Sequence, residues 1–166
     1  MRTLDYLQLN ENKVNVVVES LNGLLADLQI FYSNLRGLHW NVRGRGFFAL
    51  HAKYEELYNG VANQVDEVAE RILQLGSKPE NRYSEYLKVA RLQEDGFEPM
   101  GRAGVQKVLD TLAVLIGEER EISAKAAEAG DEVTVALVGD FLRGQEKLVW
   151  MLSAFLARKS EVEMEK

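Results

Sequence analysis

The position of the prolines constrains the fold of this chain more than any other sequence feature. Only two prolines occur, Pro79 and Pro99, and the long stretches on either side of them contain none. Because proline breaks the interior of a helix, such stretches favour long helices. In the first stretch, apolar residues recur at the spacing of one helix face: Val14, Val17, Val18, Leu21, Leu24, Leu25, Leu28, Phe31, Tyr32 and Leu35. This periodicity predicts a long helix over about residues 12–38.

Glycines predict where the other helices begin and end. The turn 41–46 contains two glycines, and Gly76 and Gly130 each follow a helical pattern as stop signals. The polar stretch 77–103 predicts a long connection that carries a short helix. The predicted helices cover residues 12–38, 47–75, 83–92, 103–129 and about 132–158. The sequence therefore predicts an all-α fold, a four-helix bundle with one long crossover between its second and third long helices.

Composition limits the size and class of the protein. The chain has 166 residues, which fits one domain over residues 1–166. It has no cysteine, which excludes disulfides, thiolate metal sites and a cysteine nucleophile. A net charge of −6 makes non-specific binding to nucleic acid unfavourable. The N-terminus lacks the pattern of a secretory signal, and no run of 18 apolar residues occurs. We therefore expect a cytoplasmic protein with no membrane segment.

Any histidine chemistry must use His39 or His51, the only histidines of the chain. A lone histidine at a helix end is more often a packed or capping residue than a metal ligand. His51 has Glu55 four residues further along the predicted second helix, on the same face. Such a pair is usually a solvated surface pair. At this point a metal site and an ordinary surface remain open alternatives.

Two carboxylates further along the same helix, Asp66 and Glu70, also share a face, and an exposed charged stripe is the simpler interpretation. The Glu-x-x-His motif of di-iron sites inside a bundle is absent from the sequence. His51 and Asp66 are separated by fifteen residues, or about 22 Å of helix. One helix cannot bring both to one ion, whereas two helices related by a two-fold axis can. The spacing thus indicates either no metal site or one shared between subunits.

The segment from His39 to His51, HWNVRGRGFFALH, together with the segment from Asp66 to Gly76, DEVAERILQLG, resembles the Dps mini-ferritins. The segment 146–156, EKLVWMLSAFL, is similar to the last helix of that family. The resemblance covers roughly residues 12–158 and implies a ferritin-like bundle.

The resemblance implies a ferroxidase centre between two-fold-related subunits. His39, His51 and Glu55 would come from one subunit and Asp66 and Glu70 from the other. The family often has Asp where this chain has Glu55. Trp40 would lie beside the metal as an electron donor or radical trap, with core packing as the alternative. The ligand types suit Fe(II), and also Zn(II) or Mn(II). By contrast, Trp150 is expected in the core.

The resemblance also implies a hollow dodecamer that oxidises Fe(II), preferably with hydrogen peroxide, and stores ferric mineral, which links it to oxidative stress. Asp131, Glu132 and Asp140 are candidate pore carboxylates, and helix capping is the alternative for Asp131. Neither end of the chain is basic, because residues 1–13 and 158–166 balance their cations with acids. We therefore expect weak DNA binding or none. The alternative functions are a DNA-protecting shell without ferroxidase activity and a bundle that only binds partners.

Overall fold

The computed structural model describes residues 3–157, and these form six helices. Four long helices make the bundle, and two short helices lie outside it. They are α1 (Thr3–Leu7), α2 (Glu11–Asn41), α3 (Phe47–Gln74), α4 (Tyr83–Val89), α5 (Gly101–Ala129) and α6 (Glu132–Leu156). No strand is present in this part of the chain. The expected all-α bundle with a short helix in its long crossover is confirmed.

Helix α2 forms the centre of the bundle. It packs against α3, α5 and the short α4, and α5 packs in turn against α6. The apolar positions that predicted α2 are buried, with the exception of Tyr32, which is half-buried. They meet buried residues from the other long helices, among them Val68, Ile72, Val108, Leu112, Leu115, Ile122 and Val138. Burial of this shared apolar surface is the main force that holds the helices together.

The ends of the helices follow from local chemistry. Asn10 begins α2 because its side chain accepts hydrogen bonds from the backbone N–H groups of Asn12 and Lys13 at 3.1 and 3.3 Å. Gly76 and Gly130 follow α3 and α5 with φ angles of 82° and 73°. This left-handed conformation is open to glycine at little cost, which explains why both positions predicted a helix end.

The crossover between α3 and α5 is fixed to the bundle by buried and half-buried polar groups. Asp27 of α2 is fully buried, and its Oδ1 accepts the N–H of Leu92 at 2.7 Å. Asn34 accepts the N–H of Asp95 at 2.8 Å and donates to the carbonyl of Gln93 at 3.0 Å. Since the N–H of Leu92 bonds to Asp27, α4 ends before the predicted boundary. Helix α1 was not expected at all, and its buried Leu4 packs beside Gly76.

Helix α2 is also long and apolar enough, by length and composition, to be a candidate membrane span. Of its most apolar window, 61% is buried inside the bundle. A helix at the centre of a bundle has the same composition, because it is surrounded by other helices.

Candidate metal centre

The two histidines meet where α2 turns into α3. His39 lies in the last turn of α2 and His51 in the first turns of α3. Between them, Gly44 and Gly46 adopt φ angles of 80° and 85°, which allow the chain to reverse within a few residues. The two imidazole rings stack with their centroids 3.8 Å apart and an angle of 19° between the planes. The tight turn therefore brings together the residues that the sequence separates by twelve positions.

Each histidine is oriented by a hydrogen bond to the backbone of the other. Nδ1 of His39 lies 2.8 Å from the carbonyl oxygen of His51, and Nδ1 of His51 lies 2.9 Å from the carbonyl oxygen of His39. A carbonyl only accepts, so both Nδ1 atoms carry the proton. The lone pair of each neutral ring is then on Nε2. Metal-binding histidines are commonly oriented in this way, with one nitrogen donating to a carbonyl and the other free to ligate.

Glu55 lies one turn beyond His51 on α3 and is exposed. The hydroxyl of Tyr58 donates to Glu55 Oε1 at 3.4 Å, and its ring packs edge-on against His39 with a centroid distance of 5.4 Å. Desolvation and the Glu55 carboxylate raise the pKa of Tyr58, so it keeps its proton and remains a donor. The sequence analysis did not identify Tyr58, although its i+3 spacing from Glu55 is a usable signal.

Asp66 and Glu70 are exposed on α3, further from the turn. Neither forms a hydrogen bond or an ion pair with the described residues. Within residues 3–157 of the single chain, no group of three or more His, Asp or Glu side chains lies close enough to hold a metal ion. One chain thus brings His39 and His51 together, whereas Glu55, Asp66 and Glu70 do not join them in a group of three.

The two tryptophans lie at the surface of the chain. Trp40 is 63% exposed, and the guanidinium carbon of Arg36 lies 4.7 Å from the centroid of its ring. Core packing, the alternative for Trp40, is therefore excluded within the single chain. The expectation that Trp150 is a core residue is wrong, since it is 69% exposed. Helix α6 is apolar on more than one face and buries Phe141 and Leu152 instead.

The structure also corrects one pore candidate. Asp131 is 1% exposed and caps α6, accepting the N–H of Thr134 at 3.0 Å and its hydroxyl at 2.6 Å. It also forms a buried ion pair with Arg71 at 2.6 Å, and Arg71 donates to the hydroxyl of Thr134 at 2.9 Å. A carboxylate enclosed in this way cannot line a pore, so the capping alternative is correct. Glu132 and Asp140 are exposed, and Asp140 pairs with Arg143 at 2.7 Å.

Buried acidic residues on α5 were missed by the sequence analysis. Burial raises the pKa of Glu119 to about 8, although Gln145 donates to its Oε1 at 2.7 Å. Burial and the neighbouring Asp27 carboxyl also raise the pKa of Glu118 to about 8. Both side chains therefore hold a proton over most of the neutral range and contribute little charge to the interior.

Comparisons with known proteins agree with this architecture. A family model for the ferritin-like domain matches residues 18–161. The chain is 55% identical over 157 residues to a DNA protection during starvation protein of Porphyromonas gingivalis, covering 95% of this chain and 99% of that one. The chain belongs to the Dps family of ferritin-like proteins.

Solved Dps structures have the same fold. The Dps protein of Vibrio cholerae, described as a member of a superfamily of ferritin-like diiron-carboxylate proteins, has a TM-score of 0.88 and 45% identity over 90% of this chain and 94% of that one. Dps of Listeria innocua, from a crystal soaked with zinc, has a TM-score of 0.82 and 33% identity over 84% of this chain and 95% of that one. The resemblance seen in the segments 39–51, 66–76 and 146–156 is thus confirmed over the bundle.

Proposed function

We propose that this Dps-family protein oxidises Fe(II) at sites shared between two-fold-related subunits and stores the ferric product inside a hollow dodecamer. The observation that carries the proposal is the reciprocal bonding of His39 and His51. It leaves both Nε2 lone pairs available for a metal, and it is formed within one chain. Membership in the Dps family and the diiron-carboxylate description of the Vibrio cholerae relative support iron as the substrate.

In this proposal each subunit contributes half of every site. His39, His51 and Glu55 bind from one subunit, and Asp66 and Glu70 reach the same ions from the other. Imidazole and carboxylate together suit Fe(II), and the same set accepts Zn(II) or Mn(II). The carboxylates offset the charge that increases as Fe(II) becomes Fe(III). The hydroxyl of Tyr58 orients Glu55, whose side chain is longer than the aspartate common in the family.

Hydrogen peroxide is the oxidant that we propose as preferred. Two Fe(II) ions each give one electron to one peroxide molecule, whose O–O bond breaks. The two ferric ions then take up water and precipitate as oxyhydroxide, and the protons pass to the solvent. Consuming peroxide in a two-electron step avoids the hydroxyl radical that Fe(II) forms with peroxide in solution. Trp40 is proposed as a nearby one-electron donor, because its exposed indole directly follows His39.

The ferric absorbance that develops after Fe(II) and peroxide are mixed tests the site. We expect the initial rate to fall by about tenfold or more in His51→Ala and in Asp66→Asn, because each removes a metal ligand. Glu67→Gln is the matched control for Asp66, since it removes the same charge at an exposed neighbouring position on another face of α3. Unchanged rates in both site variants would contradict the assignment.

The assembly and the second candidate function are tested separately. Light scattering after size-exclusion chromatography is expected to give the mass of a dodecamer, and a monomer would exclude shared sites. The alternative function is a DNA-protecting shell without significant ferroxidase activity, which the names of several relatives favour. An intact shell that shifts DNA in a gel at physiological salt and does not accelerate iron oxidation would establish that alternative. We expect the protein to act in the cytoplasm and in defence against oxidative stress.

A further inference from the structure

A surface hollow at one end of the bundle is lined by three arginines. It has a volume of about 510 Å³ and lies between the α2–α3 turn, the start of α5 and the end of α6. Arg43, Arg45 and Arg102 line it, and we refer to it as the arginine hollow. Its lining also includes the apolar Leu50 and Phe155. Three guanidinium groups close together attract an opposite charge more strongly than one alone.

The segments that carry the three arginines are held against one another. The N–H of Arg43 donates to the carbonyl of Pro99 at 3.1 Å, which connects the α2–α3 turn to the segment before α5. Gly101 allows this close approach, because a Cβ there would lie 2.7 Å from Leu50 Cδ1. Arg102 donates to the carbonyl of Leu156 at the end of α6. The backbone segments around the hollow are therefore held together.

The guanidinium groups in the hollow have no carboxylate partners among the described residues. Arg43 and Arg45 are exposed, and their side chains form no ion pair or hydrogen bond with the described residues. The side chain of Arg102 donates only to a backbone carbonyl. In contrast, five other arginines each pair with a carboxylate: Arg71, Arg82, Arg91, Arg120 and Arg143. In a chain with 26 acidic and 20 basic residues, three arginines around one hollow with no acidic partner among residues 3–157 favour an anionic ligand.

Within residues 3–157, the acidic side chains also lie outside this hollow. Three other surface hollows of the described chain each include a carboxylate, such as Glu56, Glu128 or Glu121. In the described part of the chain, no carboxylate lines the arginine hollow. Helix α5 begins at its edge with no acidic residue in the first turn and no side-chain cap, so the helix dipole adds to the positive potential. Glu98 lies at this helix end, where its Oε1 accepts the N–H of Met100 at 2.9 Å, and its charge offsets part of that potential.

We propose that the arginine hollow is a binding site for a phosphate group. The planar guanidinium group matches the oxygens of phosphate with two parallel hydrogen bonds, and several arginines together match its multiple charge. The phosphate comes either from the solution or from the backbone of a nucleic acid. The site does not depend on basic chain ends or on iron oxidation, so it stands apart from the proposed ferroxidase function.

The test compares a variant of the hollow with a variant of equal charge elsewhere. Arg43→Gln/Arg45→Gln removes two charges from the hollow. Arg120→Gln/Arg143→Gln removes two exposed arginines from α5 and α6 and is the matched control. Inorganic phosphate binding to the iron-free assembly is measured by ³¹P NMR, and binding of a labelled DNA duplex is measured by fluorescence anisotropy over a range of salt concentrations. Both variants must first give the wild-type mass by light scattering.

We expect phosphate to bind the wild type and the control equally, and the hollow variant about tenfold more weakly or worse. If the hollow variant alone also binds DNA more weakly, the backbone of a nucleic acid is the source of the phosphate. The slope of log affinity against log salt concentration should then become smaller by about one for each arginine that contacts a phosphate. Phosphate binding without DNA binding supports the site with free phosphate as the ligand. The proposal is overturned if the wild type does not bind phosphate, or if the hollow variant binds it as the control does.

Discussion

Mixing two inactive variants in one assembly is expected to restore part of the iron-oxidation rate. His51 and Asp66 lie on the same helix, fifteen residues and about 22 Å apart, so one chain cannot supply both to one ion. A His51→Ala subunit retains an intact Asp66, and an Asp66→Asn subunit retains an intact His51. If the sites are shared across a two-fold axis, a mixed pair of subunits contains one site with both native residues.

The expected magnitude follows from this geometry. When equal amounts of the two subunits assemble at random, about half of the two-fold pairs are mixed. Every pair holds two sites, and in a mixed pair one site is intact and the other lacks both residues. About a quarter of all sites are then intact, so the initial rate should reach about a quarter of the wild-type rate.

The assay is co-expression of the two variants with different affinity tags, followed by purification through both tags. Ferric absorbance is then recorded after addition of Fe(II) and peroxide, and each variant assembled alone provides the baseline. A mixed assembly no faster than the two separate variants, with each variant alone inactive and the mass unchanged, would refute shared sites. A control assembly mixes His51→Ala subunits with Glu67→Gln subunits. All of its subunits have a native Asp66, so a site is intact whenever a Glu67→Gln subunit supplies its His51. The rate of this control shows the effect of diluting native histidines, without any complementation between two inactive variants.

Three further outcomes test the fold and the site. Asp131→Ala should lower the free energy of unfolding, measured by urea denaturation, by about 3–5 kcal/mol, because it leaves the buried Arg71 guanidinium without its carboxylate. As a control, Glu132→Ala at the exposed neighbouring position should change this free energy by less than about 0.5 kcal/mol. The pKa of Glu119 is raised from 4.5 to about 8, so between these pH values the folded chain holds a proton that the unfolded chain has lost. Stability should therefore fall as the pH rises from about 4.5 to about 8. Glu119→Gln should weaken this dependence, leaving the part due to Glu118, and raise the urea midpoint at pH 8.5. An unchanged pH profile would contradict the reasoning. Zn(II) added before Fe(II) should slow ferric formation by occupying the same ligands, and no inhibition at several equivalents of Zn(II) would argue against the proposed set.

The bundle could be predicted because its signals are local. Apolar spacing in α2 and the left-handed glycines Gly76 and Gly130 depend on neighbouring residues in the sequence. The acids Glu118 and Glu119 could not be predicted as buried. In the sequence they look like a solvated stretch, and their burial depends on Asp27 and Gln145, which lie far away along the chain. The burial of Trp150 was predicted wrongly because an apolar stripe on α6 does not reveal which of its residues face the bundle.

For the candidate site, sequence spacing excluded one arrangement but could not supply the geometry. Fifteen residues of helix between His51 and Asp66 rule out a common ion within one chain, and that argument needs only the helical rise. The reciprocal Nδ1 bonds of His39 and His51 are different, since they require the α2–α3 turn to bring two backbone carbonyls beside two rings. No pattern in the sequence encodes that contact, because it arises only when both helices are in place.

The division of the proposed site between a rigid half and an exposed half links metal binding to assembly. The histidine half is ordered within the single chain, so little conformational entropy remains to be lost there when a metal binds. Asp66 and Glu70 are exposed and form no hydrogen bond or ion pair with the described residues, and in the proposed site they complete it only when a second subunit approaches. Under the proposal, any metal that contacts both halves must therefore bind more tightly to the assembled pair than to the free chain. Because such coupling is reciprocal, the metal must stabilise the subunit interface by the same free energy that assembly adds to metal binding.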